Sequence, residues 1–287
     1  MKRTVILLIL SILLGCFSGC ASTPNAQVAA TTAPVYQFTS ALCEGTGISV
    51  TRLITEKVSC LHDYSLNVRQ VKAAEAADVI VISGGGLEDF MADLLDDSKR
   101  IDSSTGISMM GCEDHGHEDH HHEHDAHFWL SPMLAKQMAT NICIGLSQKY
   151  PQHKSVFEQN LAQLHGQLDA LQSYGESQLA DLSCRELMTF HDGFAYFADA
   201  FNLTIVESIE EEAGSEASAQ ELKRLIGVVE DKDLPAIFTE VNGSVSAANI
   251  IAIHTGTEIF DLDMCMGSID YFGAMRRNID TVKEALG

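Results

Sequence analysis

The 287-residue sequence predicts an α/β protein of two βα lobes, each with a parallel sheet, linked by one long backbone helix. Residues 79–82 form a continuous β-branched run, which is typical of a buried parallel strand. Apolar residues recur at steps of three and four from residue 157 to residue 171, which indicates an amphipathic helix. Strand and helix patterns alternate again after residue 182, so we expect the same kind of lobe on both sides of that helix.

In the first lobe, strand and helix patterns alternate from residue 35 onwards. The predicted strands are 35–39, 48–53 and 79–82, and the predicted helices are 68–77 and 87–95. The three glycines at 84–86 lack the Gly-x-Gly-x-x-Gly spacing of a dinucleotide-binding loop and the lysine of a phosphate-binding loop. We interpret them as a turn that allows close approach of the backbone.

Two helices follow the first lobe. Pro132, with Ser131 as the N-cap, predicts a helix that ends near Tyr150. The next helix, from about 153 to 181, would be ~40 Å long, which is more than one lobe needs. We therefore assign residues 35–150 to the first lobe, 151–182 to the linking helix and 183–287 to the second lobe.

The second lobe repeats the alternation of the first. Its predicted strands are 186–190, 203–206, 236–239 and 258–262. Its predicted helices are 192–201, 219–230, 245–254 and 271–286. Strands that alternate with helices favour a parallel sheet, because parallel neighbours need crossover connections.

Residues 1–20 are predicted as an export signal rather than as part of the fold. Two basic residues precede an apolar run at 5–14, which is too short to span a bilayer stably. The segments that end at Cys16 and Cys20 both resemble a bacterial lipobox, in which the cysteine is acylated after cleavage. We favour Cys20, with Cys16 as the alternative, because small residues precede it and a flexible polar tether at 21–34 follows.

Charge and histidine content indicate the class of ligand. Asp and Glu number 40 against 18 Lys and Arg, which gives a formal net charge of −22. Such a chain lacks the basic surface that nucleic-acid phosphates require, so nucleic acid is excluded as a partner. Of the 12 histidines, seven lie between His115 and His127, and an acidic, histidine-rich chain suits a metal cation.

Candidate metal ligands lie beyond the carboxyl ends of predicted strands, where open α/β sheets bind their ligands. There are two in each lobe: His62, His127, His191 and Asp263. Three imidazoles and a carboxylate suit a tetrahedral Zn²⁺, whereas Mn²⁺ prefers more oxygen ligands. Only a cleft between the lobes would bring these residues together. The identity of the carboxylate ligand is left open. Asp261 faces the same way as Asp263, and Glu240 ends another strand.

Three histidine motifs together resemble those of the zinc-binding solute-binding lipoproteins of ABC importers, the cluster A-I family. The motifs are His-Asp-Tyr at 62–64, His-Phe-Trp-Leu-Ser-Pro at 127–132 and Phe-His-Asp-Gly-Phe-Ala-Tyr-Phe at 190–197. Residues 79–90, 236–240 and 263–267 resemble further parts of these proteins. The likeness covers about residues 35–287, and the ordered set of motifs carries it.

The resemblance implies a high-affinity zinc receptor that delivers Zn²⁺ to an ABC permease, with a metal site in the interlobe cleft. It also implies a monomer, anchored to the lipid bilayer by its acylated cysteine on the outer face of the cell membrane, that transports zinc rather than catalyses a reaction. The alternatives are a manganese-specific receptor of the same family, a metal-dependent adhesin in cell adhesion, and a zinc hydrolase. For a hydrolase, only Asp192 and Glu240 are candidate bases, and no His-Glu-x-x-His motif is present.

The loop before the first histidine departs from the family pattern. The usual proline-rich stretch is replaced by residues 56–61, and a Cys43–Cys60 disulfide is predicted to constrain this loop instead.

The histidine-rich tract at 112–127 is too polar to bury a core, so we predict a loop that captures metal weakly and raises the local zinc concentration. Its auxiliary ligands would be His115, His117, His120, His121, His122 and His124.

Overall fold

Two four-stranded sheets organise the chain. The computed structural model describes residues 28–56, 61, 64–111, 124–191, 193–210, 217–241, 243–267 and 270–287, with the side chains of His191 and Glu210 outside that description. In these ranges the strands are β1 (Val28–Ala30), β2 (Val50–Arg52), β3 (Val79–Ile82), β4 (Arg100–Asp102), β5 (Glu186–His191), β6 (Thr204–Glu210), β7 (Ala236–Glu240) and β8 (Glu258–Leu262). The α-helices of the same ranges are α1 (Ala33–Cys43), α2 (Val68–Ala76), α3 (Pro132–Lys149), α4 (Lys154–Gln178), α5 (Ala195–Ala200), α6 (Ala219–Lys232), α7 (Ser246–Thr255) and α8 (Tyr271–Leu286).

Both sheets have the same topology. The first sheet has the order β2-β1-β3-β4 and the second β6-β5-β7-β8. Every neighbouring pair of strands is parallel. The carboxyl ends of all four strands therefore lie along one edge of each sheet, which is where side chains from successive strands meet. The predicted fold class, two parallel α/β lobes linked by a long helix, is confirmed.

The first strand and the first helix differ from the predicted elements. Residues 35–39, predicted as a strand, lie inside α1, and β1 lies within the predicted tether at 21–34. The buried residues of α1 follow helical spacing at Val35, Phe38, Thr39, Leu42 and Cys43. A five-residue window of aromatic and β-branched residues conceals that period. A three-residue strand such as β1 is too short to show any period, so its composition alone resembled a linker.

The other strands and helices mostly follow the predicted pattern. The predicted strands at 48–53, 79–82 and in the second lobe all overlap an observed strand. Residues 87–95, predicted as a helix, form instead a 3₁₀ segment (Asp89–Leu94) that is kinked at Met91. Strand β4 was not predicted, because its sequence Arg-Ile-Asp contains a single apolar residue.

The loop after β3 requires glycine at Gly84, the first of its three glycines. Gly84 has a φ of +86°, and a Cβ atom there would lie 2.1 Å from Oδ1 of Asp102, so the close approach predicted for this turn is confirmed. The buried carboxylate of Glu88 closes the loop from inside by accepting hydrogen bonds from the backbone N of Ser83 (2.8 Å) and Oγ1 of Thr31 (2.6 Å). Burial raises the pKa of Glu88 to about 7. One carboxyl group therefore joins the segments that follow β1 and β3.

The linking helix α4 has 25 residues and packs on both lobes. At 1.5 Å per residue it is about 37 Å long. It contacts α1 and α3 of the first lobe and α8 of the second. This confirms the long helix, whereas the exact lobe boundaries at 150, 182 and 183 stay predictions.

A glycine pair within α4 tests how tightly the helix is packed. A Cβ atom at Gly175 would lie 2.1 Å from Cε1 of Phe201, whereas a Cβ atom at Gly166 would meet nothing within 4 Å. We expect Gly175→Ala to lower the free energy of unfolding by roughly 1–3 kcal/mol through overpacking. Gly166→Ala, the matched control, should raise it by about 0.5–1 kcal/mol, since alanine favours a helix over glycine. Urea denaturation of both variants measures the difference, and equal effects would contradict this packing.

One hydrophobic core crosses from the first lobe into the second. It includes Phe38 and Trp129 of the first lobe together with Phe197 and Tyr271 of the second. The rings of Phe38 and Tyr271 meet edge to face with centroids 5.0 Å apart. A smaller cluster lies within the second lobe alone. In the described ranges, no helix has both the length and the apolar character needed to cross a bilayer.

Candidate metal centre

Two of the four predicted ligands are described with their side chains. These are His127 and Asp263. His191 is the last residue of β5, and only its backbone is described. His62 lies outside the described residues. Within the part of the chain that the structure describes, no group of three or more His, Cys, Asp or Glu side chains is arranged to hold a metal ion. The complete ligand set therefore stays a prediction.

His127 is buried, and a carboxylate orients its ring. It directly precedes the buried 3₁₀ turn Phe128–Leu130 that leads into α3. The imidazole is 2% exposed and Asp125 is 4% exposed. Oδ1 of Asp125 lies 2.8 Å from both the backbone N and the Nδ1 atom of His127. Two hydrogen bonds to one carboxylate oxygen therefore fix both the main chain and the ring of His127.

The Asp125 contact determines what His127 offers chemically. An ionised carboxylate only accepts hydrogen bonds, so Nδ1 of His127 is the donor of the pair. A neutral imidazole protonated at Nδ1 carries its lone pair on Nε2. Metal-ligating histidines have this arrangement, in which the second nitrogen donates to a carboxylate and the first binds the ion.

Trp129 brings the His127 segment against the segment that carries Asp263. Its Nε1 atom donates to the carbonyl oxygen of Met264 over 2.9 Å. The Trp129 ring also meets the His127 ring edge to face, with centroids 5.3 Å apart. Trp129 is fully buried, so this contact lies inside the boundary between the lobes. The structure thus brings together the segments of one first-lobe and one second-lobe ligand candidate.

Asp263 begins a tight loop after β8. Its Oδ1 atom accepts a 2.7 Å hydrogen bond from the backbone N of Cys265, which has a φ of +62°. The side chain of Asn278 bonds both the backbone N and the backbone O of Asp263, each over 2.8 Å. Arg52 of the first lobe donates to the carbonyl oxygen of Met266 over 2.8 Å. Contacts from both lobes therefore fix the backbone around this carboxylate.

The thiol in this loop stays protonated near neutral pH. Burial raises the pKa of Cys265 well above its ordinary value, and the nearby charge of Asp263 raises it further. Cys265 is therefore a neutral buried thiol in this loop, which makes it a poorer metal donor than a thiolate.

The alternative carboxylates differ in burial. Glu240, the last residue of β7, is 4% exposed and pairs in register with Leu262, next to Asp263. The β5–β7 register, continued by two residues, brings His191 level with Glu240. Asp261 is exposed and accepts a hydrogen bond from Thr239. His191 and Glu240 thus end neighbouring strands and Asp263 follows the next one, so all three lie at one sheet edge. Asp261 is the less suitable carboxylate.

The remaining predicted sites lie mostly outside the described residues. These are the acylation candidates Cys16 and Cys20, the disulfide partner Cys60, and His115, His117, His120, His121 and His122. Of the auxiliary histidines, His124 is described and is exposed. Cys43 is a buried free thiol in this structure, and burial raises its pKa to about 12. The Cys43–Cys60 pair stays a prediction.

Sequence reasoning missed the partner that orients His127. Asp125 is one of several acids in the histidine-rich tract, and composition gives no reason to separate it from the others. Its spacing was the available signal, because Asp125 lies two residues before the histidine and a carboxylate at that distance can turn back to the ring. Trp129 belongs to one of the histidine motifs, but its contact with Met264 depends on the tertiary fold.

We expect Asp125→Asn to weaken zinc binding by roughly 10- to 100-fold, the usual cost of losing a carboxylate behind a metal-ligating histidine. Asparagine keeps the shape of the side chain but removes the charge that favours the donor at Nδ1. Competition against a chromophoric chelator measures the change. Asp181→Asn, at an exposed acid in the turn after the linking helix, is the control for a change in net charge. Equal affinities in the two variants would contradict the role of Asp125.

Known proteins match the chain over nearly all of the described fold. A protein-family model for ZnuA, described as zinc-uptake complex component A, periplasmic, matches residues 28–285. The zinc-binding lipoprotein AdcA of Streptococcus pneumoniae serotype 4 is 28% identical over 272 residues, which cover 88% of this chain and 54% of AdcA. The chain therefore spans about half the length of the first curated relatives that it matches.

Two further comparisons cover most of this chain and most of the protein that it is compared with. The high-affinity zinc uptake system protein ZnuA of Bacillus subtilis strain 168 is 26% identical over 280 residues, which cover 91% of this chain and 87% of that protein. A crystal structure of ZnuA superposes with a TM-score of 0.80 at 28% identity, covering 91% of this chain and all of that one. Both the fold and the order of its segments are therefore similar to those of solved zinc-uptake proteins.

Proposed function

Because the chain belongs to the ZnuA family of zinc-uptake components, we propose that it is an extracytoplasmic receptor that binds Zn²⁺ tightly and delivers it to an ABC permease. The observation that carries the proposal is the buried His127, whose Nδ1 atom is held by Asp125. The sequence supplies the other expected ligands, His62 and His191, with a carboxylate from Asp263 or Glu240. Three imidazoles and one carboxylate form a charge-matched tetrahedral set for Zn²⁺.

A binding role suits this ligand set better than catalysis. A catalytic zinc site keeps one position open for water and needs a general base beside it. In the proposed site, protein atoms occupy all four positions, which favours storage and transfer of the ion. We therefore propose a transport protein and not an enzyme, with Mn²⁺ as the less suitable cargo because it prefers more oxygen ligands.

The proposed location follows from the first twenty residues. Acylation of Cys20 would anchor the protein in the lipid bilayer on the outer face of the membrane, beside the permease. Matched relatives are named lipoproteins, which supports this location. We propose a monomer that acts in this tethered form.

Anomalous diffraction at the zinc edge tests the proposed site. Crystals grown with one equivalent of Zn²⁺ should show one strong peak about 2.0–2.1 Å from Nε2 of His127, with His62, His191 and one carboxylate around it. Data from the same protein grown with Mn²⁺ provide the comparison for selectivity. A peak elsewhere on the chain, with none beside His127, would overturn the proposal.

Cellular uptake separates a receptor from an adhesin or a metal buffer. Deleting the gene for this chain should reduce zinc uptake only while the permease is present. An equal reduction in a permease-null background would favour a buffer or adhesin. Restoration of uptake by the wild-type chain, but not by a Cys20→Ala variant, would support the tethered form.

Deleting residues 113–124 should leave one tight zinc site and remove weaker additional binding. Histidine-rich tracts bind metal at several weak sites, whereas the proposed tight site uses His127, outside the deletion. Isothermal titration calorimetry distinguishes the two classes of site by their affinities. Loss of the tight site in the deletion variant would contradict this division of roles.

A further inference from the structure

Tyr196 of the second lobe contacts the first-lobe segment that carries His127. The side chain lies on α5 and is 1% exposed. Its hydroxyl group donates to the carbonyl oxygen of Asp125 over 2.8 Å and accepts a hydrogen bond from the backbone N of Met110 over 2.8 Å. The same hydroxyl lies 3.6 Å from Sδ of Met109, which is a weaker acceptor. One buried hydroxyl group thus binds two separate segments of the first lobe, one at Met110 and one at Asp125.

The two residues that Tyr196 binds are paired with each other. Met110 and Asp125 form an isolated antiparallel bridge, in which the backbone N of Asp125 donates to the carbonyl oxygen of Met110 over 2.9 Å. Both backbone polar groups of Asp125 are therefore engaged, the N–H by Met110 and the carbonyl by Tyr196. With the main chain held at both groups, only side-chain torsions remain to aim the carboxylate at His127.

The position of the hydroxyl is set by the core of the second lobe. On α5, Phe197 is fully buried, and its ring packs edge to face on Phe201 with centroids 4.9 Å apart. Phe194, directly before the helix, is 1% exposed and packs on Phe197. The helix starts four residues after His191, the ligand candidate of this lobe. A buried second-lobe helix that begins four residues after His191 therefore carries the hydroxyl that holds Asp125.

We propose that Tyr196 is a positioning residue for the metal site: through Asp125, it sets the orientation of His127 from the opposite lobe. The proposal rests on the proposed zinc-binding function. Its consequence is that the first-lobe imidazole takes its binding orientation through a contact made by the second lobe. Loss of the hydroxyl lets the Asp125 backbone relax, and the imidazole spends less time in the orientation that the ion requires.

The test is a double-mutant cycle between Tyr196→Phe and Asp125→Asn, with zinc affinity measured by chelator competition. Tyr196→Phe should weaken zinc binding about 3- to 10-fold, the range expected for one lost hydrogen bond. In the Asp125→Asn background the same substitution should change affinity less than about 2-fold, because its route to His127 is already impaired. Tyr174→Phe, which removes a hydroxyl bonded to Asp280 on the surface, should leave affinity unchanged.

A second readout separates positioning from simple stabilisation. In the metal-free protein, long-range ¹H–¹⁵N correlation spectra report the Nδ1 proton of His127, and Tyr196→Phe should shift that signal or speed its exchange with water. A variant that melts earlier but keeps both the wild-type affinity and the His127 signal would overturn the proposal, as would fully additive effects in the cycle. If the wild-type protein does not bind zinc, the proposed function itself fails, which is a different result from a wild type that binds and a Tyr196→Phe variant that binds equally well.

Discussion

Replacing His127 by alanine is expected to cause the largest loss of zinc affinity of any single substitution at a side chain that the structure describes. The substitution removes a proposed ligand, and it leaves the buried Asp125 with the backbone N of residue 127 but without the Nδ1 donor. The loss should therefore exceed the roughly 10- to 100-fold cost of removing a partner behind a metal-ligating histidine. Chelator competition on the purified protein measures it. His62→Ala and His191→Ala should each cause a comparable loss, and Asp263→Ala a smaller one if Glu240 substitutes.

His254→Ala provides the matched control for His127→Ala. His254 is an exposed histidine near the end of α7, so its loss removes an imidazole without touching the cleft. The zinc affinity of the His254→Ala variant should equal that of the wild type. Wild-type affinity in two of the three variants His62→Ala, His127→Ala and His191→Ala would contradict the proposed ligand set.

Trp129→Ala is expected to cause the largest loss of stability, about 3–5 kcal/mol in the free energy of unfolding. The side chain is fully buried, and its Nε1 atom makes the hydrogen bond to Met264 that crosses the lobe boundary. Truncation leaves a large cavity in the shared core and a carbonyl oxygen without its donor. Urea denaturation of the metal-free protein measures the change.

Two further variants separate packing from the hydrogen bond. Trp129→Phe keeps an aromatic ring but lacks the donor, and we expect it to cost about 1–3 kcal/mol, less than the alanine variant. Ile253→Ala, at a side chain that is 81% exposed, should change the unfolding free energy by less than about 0.5 kcal/mol. A Trp129→Ala protein as stable as the Ile253→Ala control would show that Trp129 does not hold the lobes together.

Local patterns predicted most of the fold, because most of its elements are long enough to show their period. The buried run of β3 and the apolar spacing of α4 are examples, and both appear in the structure within a few residues of the expected ends. The prediction was wrong at 35–39, where aromatic and β-branched residues favour a strand. Burial decided that segment, because Val35, Phe38 and Leu42 share one helical face against the core.

The sequence likewise predicted only part of the candidate site. Motif spacing identified His127 as a ligand candidate, whereas nothing in the local pattern distinguished Asp125 from the neighbouring acids. Tyr196 lies 71 residues from Asp125 along the chain, and Trp129 lies 135 residues from Met264. Contacts at such separations depend on how two lobes pack, and local periodicity contains no information about that packing.

By itself, the sequence determined the class of this protein: an acidic α/β chain of two lobes, rich in histidine, whose three histidine motifs resemble those of zinc-binding receptors. Those features are local, because strand period, glycine turns and metal-donor chemistry depend on neighbouring residues. Only the tertiary structure decided which partners orient His127 and which contacts hold the Asp263 loop. The physical reason is that buried polar groups must find hydrogen-bond partners wherever the fold brings them. At this lobe boundary some of those partners, such as Tyr196 for Asp125 and Arg52 for Met266, come from the opposite half of the molecule.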